Sequence, residues 1–187
     1  MIITPATRAD LDDILNLVNA AYRGIGARAG WTSENGIVSG TRVDAASIES
    51  LLEQERTVIL LLRREDAART VGCIVVRLDE DATCELSMFA IHPDEQAAGL
   101  GKTLLTAAET YAWRNGARLA ELTVVHVRDS LIAWYERHGY RRTGATKGFP
   151  YHDPSLGQPL RDDLYFVVLA KTLLDATREQ HSMRPSM

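Results

Sequence analysis

Residues 94–105 read DEQAAGLGKTLL, and the fold turns on how this stretch is read. Its GLGKT core at 99–103 has the look of the end of a nucleotide-binding phosphate loop. Such a loop requires G-x-x-x-x-G-K-[ST]. Here Gln96 stands where the first glycine belongs. A phosphate loop also starts where its strand ends, whereas His92-Pro93-Asp94-Glu95 intervene here. The segment 122–125 runs into His126, so no later strand offers an obvious magnesium-binding Asp. The dinucleotide fingerprint G-x-G-x-x-G fails as well, because Leu104 occupies the third glycine position. ATP binding of either kind is disfavoured.

The segment still suits an anion. Gly99 and Gly101 remove side chains and permit positive φ. A helix that starts here presents unpaired N–H groups and the positive end of its dipole. Lys102 adds a cation in the first turn, where it opposes the dipole and makes sense beside a negative ligand. The bland alternative is a plain glycine turn before a helix.

Working outward, the chain is 187 residues long, enough for one domain with a full core. We expect a single domain over 1–174 and a polar tail over 175–187. The formal charge is −4, and no Lys/Arg cluster suggests a nucleic-acid surface. The aliphatic run 58–62 suits a buried strand and is too short to span a bilayer. The first residues, MIITPATRADLDD, lack the pattern of a signal peptide. Cys73 and Cys84 both fall in strand-like segments and read as core filler rather than a disulfide or metal site. The expectation is a cytoplasmic protein with no metal, no nucleic-acid partner and no membrane association.

Strands are expected at 2–6, 57–62, 70–78, 84–91, 119–127, 140–146 and 164–170. Helices are expected after an Asp10 cap, over 44–54, after the glycines as far as Asn115-Gly116, and from an Asp129 cap to Gly139. The pair 57–62 and 70–78 reads as a hairpin. Residues 24–43 read as a long loop or broken helix, and 147–162 as a Pro/Gly-rich loop. Early hairpins followed by alternating strands and helices give an α/β (α+β) class with a mixed sheet and helices on its faces. Strict alternation along the third long strand places Glu85, Ser87, Phe89 and Ile91 on one face and Leu86, Met88 and Ala90 on the other.

Gln96-Ala97-Ala98-Gly99-Leu100-Gly101 matches (Q/R)-x-x-G-x-(G/A), a signature for the acyl-CoA pyrophosphate. Some thirty residues later, IAWYERHGY at 132–140 resembles the A-x-x-(L/F)-Y-E-x-x-G-(F/Y) segment of the GNAT superfamily of N-acetyltransferases. Element order over 1–172 resembles that family too. The resemblance implies the GNAT fold, a mostly antiparallel mixed sheet of about seven strands. It implies acetyl-CoA as co-substrate, a primary amine as acceptor, direct attack in a ternary complex, and a homodimer by family analogy.

The resemblance also assigns residues. The backbone of Phe89, Ala90 and Ile91 would bond the pantetheine arm. The amides from Ala97 through Lys102 would hold the pyrophosphate, with Gln96 and Thr103 flanking them. A bulge near Met88–Phe89 would turn an N–H toward the thioester carbonyl, an oxyanion-type contribution. Tyr135 matches the family tyrosine that faces the CoA sulfur, which makes it the candidate acid; its other reading is a packed helix-face aromatic. Glu85 is the candidate base. Rival bases are Glu34, His126 and the pair His152-Asp153. Arg128 stands where the family often has Asn; it reaches a phosphate or the ribose, or is a surface residue beside Asp129. The acceptor walls fall on 22–42 and 148–162. There Trp31 and Glu34 offer an aromatic face and an anion for a cationic amine, and Ser87 lies on the same strand as Glu85. A non-catalytic acyl-CoA sensor of the same fold is the alternative function.

Overall fold

The computed structural model describes residues 1–24, 33–65, 69–96, 99–153 and 157–174. Trp31, Ala97, Ala98 and the 175–187 tail lie outside the described residues. The elements run β1 (Ile2–Pro5), α1 (Leu11–Arg23), β2 (Val38–Ser39), α2 (Ala45–Glu53), β3 (Thr57–Arg63), β4 (Thr70–Leu78), β5 (Thr83–Ile91), α3 (Leu100–Arg114), β6 (Leu119–Val125), α4 (Asp129–Arg137), β7 (Arg141–Gly148), β8 (Gln158–Pro159) and β9 (Tyr165–Thr172). Seven strands form one sheet in the order β1-β3-β4-β5-β6-β9-β7, and β2 pairs with β8 in a small second sheet. Only the β5–β6 pair is parallel; the other neighbours are antiparallel.

Each face of the sheet has its own core. Leu104, Leu105, Ala108 and Ala112 of α3 pack with Leu60, Leu62, Ile74 and Val76 on one side. Ile14, Leu17, Val18 and Ala21 of α1, with Ile48 of α2, cover Ile59, Leu61, Cys73 and Val75 on the other. Strands buried on both faces read as unbroken apolar runs, which is why 58–62 shows no alternation. Both cysteines are free and buried. Burial pushes each thiol up to about 12, as expected of space-filling rather than reactive sulfurs.

Asp129 does not cap α4: it is the first helical residue, Arg128 stands at the cap position, and no side chain caps the helix. Three further expectations need correction. The first concerns β5. Its ladder with β4 pairs Ser87 with Val75 but Ala90 with Cys73, so Met88 and Phe89 together oppose one residue. Met88 sits at φ 46, the kink of this bulge. The extra residue inverts the alternation beyond it. Phe89 and Ile91 therefore join Cys84 and Leu86 in the α3-side core, while Met88 and Ala90 face α1. Glu85 and Ser87 do not share a face with Phe89 and Ile91. The second concerns Asp10, which adds a short 3-10 turn, Arg8–Asp10, before α1. Its carboxylate accepts from the Thr7 backbone and hydroxyl and from Arg63 instead of capping α1. Those contacts hold its pKa below the usual carboxylate value, against the upward push of burial. Asp44, by contrast, caps α2 through the Ser47 N–H at 2.8 Å. The third is that 147–162 carries an element: Gln158-Pro159 clips onto Val38-Ser39 and ties this late loop to the one after α1.

Candidate functional site

β5 and β6 share a ladder only from Thr83–Glu85 to Leu119–Glu121. Beyond it, the bulge bends β5 while β6 continues straight, fully paired to β9 through Val125. The strands part, and the gap between them holds the site. Two cavities open there. The larger, of about 500 Å³, runs between Ile91, the glycine turn and the outer face of α4. The smaller, of about 220 Å³, lies between the bulged half of β5, β6 and the end of α1. Leu131 of α4 lines both, so the two share a wall there.

The glycine end of the larger cavity gathers groups that could hold an anion, with Glu95 also in its wall. Gly99 takes a left-handed φ of 74 and accepts the Thr103 N–H at 3.1 Å, which starts α3. The first amides of α3 then have no helical acceptor. Gly99, Leu100, Gly101 and Lys102 all line the cavity, and Arg137 adds a second cation from α4. Thr103 turns its hydroxyl back to the Gly99 carbonyl and does not line the cavity. The Gln96 side-chain amide donates to the Ile91 carbonyl at 3.0 Å, pinning the loop to the end of β5. Trp134, with its ring stacked on His138 at 4.0 Å, completes the apolar wall.

The smaller cavity gathers the candidate chemistry. Tyr135 lines it and is 6% exposed. Burial drives its pKa well above the usual phenol value; Tyr22 adds to the shift and Arg128 opposes it. The side chain is therefore a neutral phenol that keeps its proton, as a donor must. Tyr22 donates to the Phe89 carbonyl at 3.0 Å and so fastens α1 to the bulge. Burial raises its pKa to about 12. Sequence reasoning had Tyr22 as the near end of an expected acceptor wall; neither that placement nor helical spacing shows that its hydroxyl reaches a strand carbonyl.

Glu85 and Glu34 both line this cavity, and each already holds an arginine. Glu85 pairs with Arg77 on the neighbouring strand at 2.5 Å. Glu34 pairs with Arg23 at 2.5 Å, with side chains 14% and 7% exposed. Arg128 also lines the smaller cavity, apart from the glycine turn. Burial lowers its pKa, while Glu34, Tyr22 and Tyr135 act in the opposite direction. Ser87 is exposed at the rim. His126 lies outside the cavity wall, stacked on Tyr165 at 4.0 Å, and His152 is exposed on its loop. Arg42, Thr123 and Phe166 complete the wall. Of these, sequence reasoning had only Arg42, as the far end of a loop. Among the described residues no group of three His, Cys, Asp or Glu is placed to hold a metal ion, and no helix is long and apolar enough to cross a membrane.

A family model, that of the acetyltransferase (GNAT) family, matches residues 13–140. The chain belongs to this family. A curated relative, an uncharacterized N-acetyltransferase of Methanocaldococcus jannaschii, is 24% identical over 153 residues, covering 79% of this chain and 63% of its own length. The chain thus spans under two thirds of that relative. The Escherichia coli ribosomal-protein-S18-alanine N-acetyltransferase has a similar structure, with a TM-score of 0.67 at 16% identity, covering 94% of this chain and 95% of that one. A candidate streptothricin acetyltransferase of Bacillus anthracis, solved with acetyl coenzyme A, aligns with a TM-score of 0.54 at 15% identity over 68% of each chain. At these identities the structural matches establish the GNAT acyl-CoA N-acyltransferase fold. The resemblance carried by residues 96–101 and 132–140 is thereby confirmed at the level of family and fold.

Proposed function

We propose that this protein transfers an acetyl group from acetyl-CoA to a primary amine by direct attack in a ternary complex. The observation that carries the proposal is the pair of cavities that share Leu131 as a wall beside a bulged strand. One has a helix N-terminus and cations for a pyrophosphate; the other has a buried phenol and carboxylates for proton transfer. The residues fit acetyl-CoA: Gly99 through Lys102 would hold its phosphates, and the edge of β5 from Phe89 to Ile91, which lies beyond the ladder with β6, would take the pantetheine amides. The co-substrate supplies an activated acyl carbon and a thiolate leaving group. The chain supplies positioning and protons.

Tyr135 is the donor to the departing sulfur. Glu85 is the acceptor of the amine proton. Arg77 already bonds this carboxylate, so the amine proton reaches it by relay through water. The same ion pair is what favours the second reading, an acyl-CoA sensor without catalysis, in which Glu85 is only half of a strand-to-strand salt bridge.

The first test is thermal shift with acetyl-CoA, CoA and MgATP in parallel, followed by thiol release with a panel of amines. Stabilisation by the CoA species and amine-dependent thiol release are expected. Tyr135→Phe is expected to lower kcat by roughly 100-fold, at the low end for a positioned acid, with acetyl-CoA binding unchanged. CoA binding with no transfer to any amine supports the sensor. Stabilisation by MgATP alone overturns both.

A further inference from the structure

The geometry points to an acceptor that carries a carboxylate beside its amine. This inference rests on reading the smaller cavity as the acceptor site, and it concerns the charge of that cavity's wall. Four ionic side chains line it: Glu34, Glu85, Arg42 and Arg128. The two carboxylates are not available to neutralise a cationic acceptor. Glu34 is held by Arg23 and Glu85 by Arg77, each at 2.5 Å, and neither of those arginines belongs to the wall. Once each carboxylate is matched with its own arginine, the wall retains the Arg42 guanidinium, while Arg128 lies within the field of Glu34. A cationic diamine would meet the Arg42 cation and two carboxylates that each already hold an arginine.

Arg42 is the group placed to read an anion. Its guanidinium lies over the Tyr22 ring, 5.0 Å from the centroid. Among the described residues it forms no ion pair. Stacking on the ring leaves the edge of the planar fork free for two parallel hydrogen bonds, the geometry a carboxylate accepts. The backbone beneath is fixed: the Asn19 side chain accepts the Arg42 N–H at 2.7 Å and donates to the Val43 carbonyl at 3.0 Å. Tyr22 is fixed in turn by its bond to Phe89. Arg42 is thus tied through one aromatic ring to the strand that positions the acyl group. The volume of about 220 Å³ limits the acceptor to something small, or to the end of a longer chain.

The reaction balances without further reagents. The amine nitrogen forms a bond to the acetyl carbon, the carbon–sulfur bond breaks, one amine proton leaves toward Glu85, and the sulfur gains a proton from Tyr135. The carboxylate takes no part in bond exchange; it orients the amine.

The test compares free amino acids with their carboxamides, and with ethylenediamine and phosphoethanolamine, as acceptors under saturating acetyl-CoA. In parallel, calorimetry measures binding of the N-acetylated amino acids and amides to the CoA-loaded protein. We expect the carboxylates to exceed the matched amides in kcat/KM by roughly tenfold or more, the effect of a charged hydrogen-bond pair. Arg42→Gln should remove that preference while leaving the KM for acetyl-CoA unchanged, and Arg42→Lys should restore part of it. Equal use of acids and amides, a preference for the diamine or the phosphate, or a preference that survives Arg42→Gln overturns the inference. The calorimetric arm separates the two claims: carboxylate-dependent binding without transfer supports this inference and sinks the transfer reaction. Binding indifferent to the carboxylate does the reverse.

Discussion

Glu34→Gln tests the ion pair that shapes the acceptor wall. An exposed ion pair contributes about 0–1 kcal/mol, whereas removing one partner of a buried pair costs roughly 3–5 kcal/mol, because the other charge is left desolvated. Arg23 and Glu34 belong to the second class, being 7% and 14% exposed at 2.5 Å. Glutamine keeps a neutral oxygen that accepts from the guanidinium, which returns about 1 kcal/mol. The net loss is therefore about 2–4 kcal/mol. For a chain of this length 1 kcal/mol corresponds to roughly 2–4 °C, so a fall of about 6–12 °C in Tm is expected at the middle of that range. Urea denaturation gives the free energy directly, with the slope unchanged if only stability has moved. The double variant Arg23→Met/Glu34→Leu should recover most of the loss, since it removes both charges of the pair. A loss under about 1 kcal/mol in the single variant would refute the reasoning and make this a solvent-screened pair.

Gly72 lies opposite Ile91 in the β4–β5 ladder, and an added Cβ would stand 2.6 Å from Ile91 Cδ1 and 3.2 Å from the Ala90 carbonyl oxygen. Gly72→Ala is expected to cost about 1–3 kcal/mol. It should also push Ile91 toward the larger cavity, raising the KM for acetyl-CoA more than it lowers kcat; an unchanged KM would count against that cavity as the acyl-CoA cleft. The phenols Tyr22, Tyr135 and Tyr140 all have pKa values raised by burial, Tyr22 to about 12 and the other two beyond it. The unfolded chain loses these protons near pH 10 while the folded one keeps them. Their contribution is thus complete below about pH 10 and falls as pH rises above it. Phenolate absorbance for these groups should appear only together with unfolding, and independent titration near pH 10 would show that they are solvated. Lys102→Gln should weaken CoA and acetyl-CoA binding equally, by a few-fold at low salt and less at high salt; isothermal titration at two ionic strengths checks both.

How much was legible beforehand depended on how local each feature is. The glycine turn, the α3 stripe and the 132–140 segment are local patterns, and they led directly to the family that the match over 13–140 establishes. Tyr135 was named from the 132–140 segment and Glu85 from its place on the strand before the glycine turn, by resemblance, and both line one cavity. The ion pairs of Glu85 and Glu34 were not legible. Arg77 pairs through the strand register, which fixes which residues stand opposite one another. Arg23 meets Glu34 only once the chain after α1 folds back on it. Tyr22, Arg42 and Phe166 come from three separate elements and meet only in the tertiary fold.

By itself, the sequence determined the class of sheet, the buried runs and the glycine turn before α3, because periodicity and glycine chemistry act over a few residues. The tertiary structure decided which faces those residues present. A single extra residue at Met88 inverts the outer half of β5 and moves Phe89 and Ile91 to the α3 side. No alternation rule can foresee that, since a bulge forms where strand divergence and packing against α1 and α3 outweigh the ladder bonds it disrupts. It also decided the charge of the acceptor wall. Composition shows carboxylates and arginines, but only folded distances tell which of them neutralise one another before an acceptor arrives.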